Sequence, residues 1–103
     1  MSDRISPIEL EALLQSDSVT LLDVRRANDR ESNPNAIQGA TWQAPENVAA
    51  WAKAIPADKP VVIYCARGGS VSVSVHAALQ EEGFNVQFVE GGLAAWEEHL
   101  AKR

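Results

Sequence analysis

Only one cysteine, Cys65, occurs in the 103 residues. A lone cysteine closes no intrachain disulfide and cannot build a multi-cysteine zinc site, so neither staple explains the fold. Basic residues are scarce as well: nine Lys and Arg face fourteen Asp and Glu, a formal net charge of −5. Non-specific nucleic-acid binding needs cations that displace phosphate counterions, so this balance argues against a nucleic-acid partner. It also leaves no polybasic patch for a membrane surface. The longest apolar run extends only from Val61 to Ala66, far short of the roughly 20 residues a spanning helix requires. Met1-Ser2-Asp3-Arg4 is not followed by the apolar stretch of a secretory signal. These absences lead to the expectation of one soluble domain over residues 1–103, cytoplasmic and without a membrane partner. Apolar residues make up 46% of the chain, enough for a core of its own.

The apolar pattern alternates between helical and strand-like segments. Ser6-Pro7-Ile8-Glu9 predicts a helix start, with Ser6 as cap, Pro7 at the first helical position and Glu9 closing a capping box. Val19-Thr20-Leu21-Leu22 predicts a buried strand ending at Asp23. Residues 25–35 are polar and predict a long loop, and Ile37 to Ala40 a brief strand. Pro45-Glu46 opens a second helix that ends near Ile55-Pro56. Val61-Val62-Ile63-Tyr64 is the clearest buried strand; its lack of polar alternation fits a parallel strand covered on both faces. Val86 to Val89 predicts a further strand, and Leu93 to Ala101 a closing helix. Alternation of this kind predicts an α/β layered fold with a small, mostly parallel sheet flanked by helices on both faces.

One segment admits two readings. Ser70-Val71-Ser72-Val73-Ser74-Val75 alternates with period two and is rich in β-branched residues, which favours a strand after a hairpin loop. A helix instead places Val71, Val75, Ala78 and Leu79 on one face and ends at Gly83, a suitable residue just past a helix.

The chemistry concentrates where the central strand ends. Cys65 is followed by Ala66-Arg67-Gly68-Gly69-Ser70. Glycines let such a loop turn its backbone N–H groups inward, and a helix starting near Ser70 adds its positive end. An electropositive setting of this kind favours the thiolate of a cysteine, the form that acts as nucleophile. Arg67 adds a fixed positive charge, and Ser70 and Ser72 offer hydroxyl donors. Phosphate-binding loops of the tyrosine phosphatase and arsenate reductase kind place an Arg six positions after the Cys; Val71 stands there.

The three motifs Leu21-Leu22-Asp23-Val24-Arg25, Val62 to Ser70 around Cys65, and Glu90-Gly91-Gly92-Leu93-Ala94-Ala95-Trp96 occur in an order and spacing that resembles the single-domain rhodaneses along nearly the whole chain. The resemblance implies the rhodanese-like three-layer α/β fold and favours the helix after Ser70. It implies a six-residue loop suited to sulfur, whereas the related phosphatases carry one residue more. It further implies a Cys65 persulfide held by Ala66, Arg67, Gly68, Gly69 and Ser70. The sulfur would come from a small anionic donor, thiosulfate or another persulfide, and pass to a thiol or cyanide acceptor. The alternative is a carrier module that relays sulfur for a partner protein with little turnover. No metal or organic cofactor is implied. The chain departs from the family in Asn35-Ala36-Ile37-Gln38-Gly39-Ala40, where rhodaneses usually have a His before the Ile.

Other conspicuous residues carry plainer expectations. Asp23 and Arg25 lie where open α/β sheets bind ligands, with hydrogen bonds that hold neighbouring loops as their expected role. His76 falls inside the helical reading, too far along to act as a base for Cys65. His99 follows Glu97 and Glu98 on the last helix and is expected to be solvated. Neither has a second ligand at metal spacing. Trp42, Trp51 and Trp96 are expected in the core.

Overall fold

The computed structural model describes residues 3–16, 19–56, 58–67 and 69–102. In chain order its elements are β1 (Arg4–Ile5), α1 (Pro7–Ser16), β2 (Thr20–Asp23), α2 (Ala27–Ser32), β3 (Thr41–Trp42), α3 (Val48–Trp51), β4 (Val61–Tyr64), α4 (Ser70–Glu81), β5 (Val86–Val89) and α5 (Gly92–Ala101). Short 3-10 turns flank α3 at Pro45–Asn47 and Ala52–Ala54.

The five strands form one sheet in the order β1-β5-β4-β2-β3, and every pairing is parallel. All four residues of β4 are buried, as a strand covered on both faces requires. Its side chains divide by period two. Val61 and Ile63 join Leu22, Trp51, Val75, Leu79 and Phe88 on the side of α3 and α4. Val62 and Tyr64 join Leu10, Ile37, Val89, Leu93 and Trp96 on the side of α1 and α5. The three-layer α/β fold is therefore present, with a wholly parallel sheet.

The predicted capping box at the start of α1 is formed. The Ser6 hydroxyl accepts from the Glu9 N–H, and the Glu9 carboxylate accepts from the Ser6 N–H. The segment after Ser70 is helical. Val75 and Leu79 point inward and Val73 is 51% exposed, so the alternating valines do not share a face. The helix closes as a Schellman turn: Gly83, at φ +91°, donates to Gln80, and Phe84 donates to Leu79. Burial of an apolar face under a sheet outweighs the poor helix propensity of three valines, a few tenths of a kcal/mol each.

Three expectations are corrected. The predicted loop at 25–35 contains α2, a six-residue helix that buries none of its residues. The brief strand predicted over 37–40 is displaced to Thr41–Trp42, because Gln38 and Gly39 turn, Gly39 at φ +91°. The helix predicted from Pro45 is a 3-10 turn, one turn of α-helix and a second 3-10 turn.

The chain leaves β2 towards β3 and leaves β4 towards β5, in opposite directions across the sheet. Where neighbouring parallel strands part in this way, their carboxyl ends open a crevice, the usual ligand position of an open α/β sheet. Asp23 and Tyr64 are register partners at that edge, so Arg25 and Cys65 follow at the same end of the sheet.

Candidate active site

Cys65 directly follows β4 and is 5% exposed. Its carbonyl oxygen accepts from the Leu93 N–H at 2.8 Å, and that of Ala66 from the Ala94 N–H at 3.0 Å. Two residues of the loop thus turn their carbonyls onto the first turn of α5, satisfying donors that a helix start leaves open. Among the described residues, no bond engages the N–H groups of Ala66, Arg67, Gly69 or Ser70. Gly69 caps α4 in an extended conformation and Ser70 is its first residue, so the twelve-residue helix presents its positive end to the loop. Gly68 lies outside the described residues.

The start of α5 is held by Gly91 and Gly92, at φ +75° and +62°. A Cβ at Gly91 would lie 2.5 Å from that of Ala95. Both the backbone angle and the contact require glycine there, and the closing motif acts on the cysteine loop through this turn.

Asp23 and Arg25 form a buried pair just past β2. Arg25 Nε lies 3.0 and 3.1 Å from the two Asp23 oxygens, and Nη2 lies 2.8 Å from Oδ2. The guanidinium also donates to the carbonyls of Asn33 (2.7 Å) and Asn35 (3.0 Å). Hydrogen bonding to the Asp23 carboxylate raises the Arg25 pKa above its ordinary value, against burial, which works the other way. The pair therefore staples the 33–35 segment to the sheet, the role expected from sequence. Tyr64 holds the same segment from beneath: its hydroxyl accepts from the Ile37 N–H at 3.1 Å, and burial pushes its pKa up to about 12.

A cavity of about 280 Å³ opens beside the loop, lined by Arg25, Asp29, Ser32, Asn33, Ala66, Arg67, Leu93, Ala94 and Glu97. The structure thus brings Ala66, Arg67 and Arg25 together, with Arg67 exposed. Ser70 is exposed at the other side of the loop. Ser72 is fully buried and its hydroxyl has no partner among the described residues; nothing in the structure explains it. Asp29, Asn33 and Glu97 are residues that sequence reasoning missed. Asn33 Nδ2 donates to Glu97 at 3.3 Å, across 64 positions of chain. The only signal for Glu97 was its helical spacing from Leu93, one turn earlier on α5.

The remaining candidates lie elsewhere. His76 is buried under β5, with Nε2 at 3.0 Å from the Val86 carbonyl and its ring edge-on to Phe88, away from the loop. His99 is not simply solvated: Nε2 meets Glu11 at 2.9 Å and ties α5 to α1. Trp51 and Trp96 are core residues, whereas Trp42 is half-buried under the Arg30 guanidinium, 4.5 Å from its ring centre. No group of three His, Cys, Asp or Glu among the described residues is placed to hold a metal, and none of their helices is long and apolar enough to cross a membrane.

Comparison with known proteins gives a consistent picture. A family model for the rhodanese-like domain matches residues 6–99. The thiosulfate sulfurtransferase GlpE of Shewanella oneidensis is 33% identical over 95 residues, covering 91% of each chain. A tRNA 2-selenouridine synthase of Shewanella denitrificans is 38% identical over 50 residues; the match covers 48% of this chain and only 14% of that enzyme. Among solved structures, a rhodanese-related protein from Thermoplasma volcanium superposes with a TM-score of 0.80 at 25% identity, covering 93% of this chain and 91% of that one.

Proposed function

The chain belongs to the rhodanese-like domain family, and from that premise we propose that it is a thiosulfate sulfurtransferase with Cys65 as its nucleophile. The observation that carries this reading is the position of Cys65: it follows the central strand at the crevice, ahead of a loop whose carbonyls are turned onto α5. The N–H groups of Ala66, Arg67, Gly69 and Ser70, free of bonds among the described residues, are available to an anion.

In the first half-reaction the Cys65 thiolate attacks the outer sulfur of thiosulfate. The S–S bond breaks, sulfite leaves with the electron pair, and Cys65 carries a persulfide. The loop N–H groups and the positive end of α4 stabilise the terminal sulfur, and Arg67 draws the dianionic donor towards a chain of net negative charge. In the second half-reaction a thiolate or cyanide attacks that terminal sulfur, and the electron pair of the broken bond returns to Cys65. Asp23 and Arg25 act on this chemistry only by holding the neighbouring loop. With Cys65 5% exposed, a small donor reaches the sulfur far more readily than a folded protein surface. This favours the enzyme reading over a carrier loaded by a partner.

The test is intact mass after thiosulfate alone, together with thiocyanate production from thiosulfate and cyanide, for the wild type and Cys65→Ser. A one-sulfur adduct and turnover that both vanish in the variant are expected. An adduct without turnover would instead favour the carrier role, and no adduct from any sulfur donor would remove Cys65 from the mechanism.

A further inference from the structure

Among the described residues, the Ser72 hydroxyl is the one buried side-chain N or O without a hydrogen-bond partner. The residue is 0% exposed. Native folds seldom leave such a group unpaired, because it gives up its bonds to water and gains none in return. No contact in the structure accounts for it; its place in the fold does. Val61 and Ile63 of β4 pack with Val75 and Leu79 of α4 in one core. Cys65 is the next residue of the same parity, and the sheet still holds the backbone there, since the Tyr64 carbonyl accepts from the Val24 N–H at 2.9 Å. The helix α4 runs back from the loop over the sheet, and its buried residues are Ser72, Val75, His76 and Leu79. The step from Ile63 to Cys65 climbs about 6.6 Å along the strand. The step from Val75 back to Ser72 climbs about 4.5 Å along the helix. Both steps therefore lead to the loop end of the sheet. Helical side chains lean towards the start of their helix, which aims the Ser72 hydroxyl back at the loop.

We infer that the Ser72 hydroxyl donates a hydrogen bond to the Cys65 sulfur whenever that sulfur carries negative charge. The inference adds a residue to the persulfide reading above and rests on it for the part Cys65 plays. A thiol sulfur is a weak acceptor, which leaves the hydroxyl unpaired in the resting protein. A thiolate accepts a charge-assisted bond, and a serine hydroxyl reaches it by turning about χ1 and its own C–O bond. A bond made only in the charged state favours that state alone. Charge sits on Cys65 Sγ twice in the cycle. It is there when the thiolate attacks the donor. It returns when an acceptor thiolate takes the terminal sulfur, the sulfur–sulfur bond breaks and its electron pair goes back to Sγ. Ser72 keeps its proton throughout. The resting fold bears the unpaired hydroxyl, a local loss of stability of the kind that functional sites retain.

Cys65 is the only cysteine, so alkylation by iodoacetamide reads its thiolate alone and needs no sulfur donor. Rates for the wild type and Ser72→Ala are compared from about pH 5 to 10, beside their urea midpoints. Arg25, Arg67 and His76 are the same in both proteins, so their effect on the thiolate cancels. Loss of the donor makes the thiolate scarcer and at the same time more nucleophilic. A bond to a charged group is worth about tenfold, and nucleophilicity recovers about half of that on a logarithmic scale. Ser72→Ala is therefore expected to react about threefold slower at the acid end and about threefold faster at the alkaline plateau, so that the two profiles cross. Its urea midpoint is expected to rise, since alanine leaves no unpaired hydroxyl and is the better helix former. After loading with polysulfide, its persulfide discharges to 2-mercaptoethanol severalfold more slowly, because Cys65 has become the poorer leaving group. Superposed alkylation profiles, or one uniform change at every pH as a packing defect would give, would overturn the inference. Failure of Cys65 to take sulfur from thiosulfate or polysulfide would sink the persulfide reading instead, and the alkylation profiles would still decide on Ser72.

Discussion

The Leu93 N–H lies 2.8 Å from the carbonyl oxygen of Cys65, joining the first turn of the last helix to the residue that follows the central strand. The bond sets the direction of the peptide after Cys65. With its neighbour from Ala94 to Ala66, it turns two carbonyls of the loop onto the start of α5. The conformation of the cysteine loop therefore depends on a turn 26 positions later in the chain.

Gly91→Ala tests that dependence. The substituted residue would have to hold φ +75° with its Cβ 2.5 Å from that of Ala95, so α5 must shift. A loss of about 1–3 kcal/mol in urea unfolding is expected, together with a slower rate of sulfur-adduct formation. Slower formation without change in stability would also show the coupling. Normal rates at normal stability would refute it.

Arg25→Met removes the cation from a buried pair and frees the carbonyls of Asn33 and Asn35. Leaving the Asp23 carboxylate buried and unpaired costs about 3–5 kcal/mol. Arg25→Lys recovers little of this, because an ammonium cannot span the forked contacts to Asp23 and both carbonyls. Denaturant midpoints of the two variants check the claim; a fully stable lysine variant would contradict it.

Tyr64 is the only tyrosine, so the ultraviolet titration of tyrosinate reports on it alone. Burial raises its pKa to about 12, against about 10 for an exposed tyrosine. A group whose pKa is raised on folding stabilises the native state fully below the unfolded value and loses that contribution as pH rises. Stability should accordingly fall between about pH 10 and 12, by up to about 2–3 kcal/mol. In Tyr64→Phe the slope across that window should flatten. A tyrosinate midpoint near 10 in the folded protein would contradict the burial.

Arg67→Ala addresses donor binding. Exposed at the loop, Arg67 would, in the proposed mechanism, act on thiosulfate through a screened charge. The KM for thiosulfate should rise about tenfold at low ionic strength and by less at 0.5 M salt. A change in kcat alone, independent of salt, would assign Arg67 a different role.

Val73→Ala separates the two readings of the serine–valine segment. In an exposed helical position, 51% open to solvent, alanine should stabilise by about 0.5 kcal/mol. Were residue 73 an inward strand position, the same change would cost more than 1 kcal/mol.

Much of the site was legible in sequence because it depends on neighbours in the chain. The strand leading to Cys65, the capping box at Ser6 and the glycine stop at Gly83 are local features, each with residue types that its backbone geometry favours. Asp23 and Arg25 were legible for the same reason: they are two positions apart, and the buried pair closes over a single residue. The alternating valines were not legible, since period two and helical spacing compete within six residues and only packing under the sheet decides between them. Nor was α2, which buries nothing and so leaves no apolar period to detect. The contact between Glu97 and Asn33, the tie from His99 to Glu11 and the hold of α5 on the Cys65 carbonyl join positions 28 to 88 residues apart. The sequence by itself determined the α/β layering and the place of Cys65 at the end of the central strand, through short-range sterics and apolar periodicity. The tertiary structure alone decided which side chains line the cavity beside the cysteine loop and which helix start holds that loop, because strand order and helix placement bring those distant groups to the same end of the sheet.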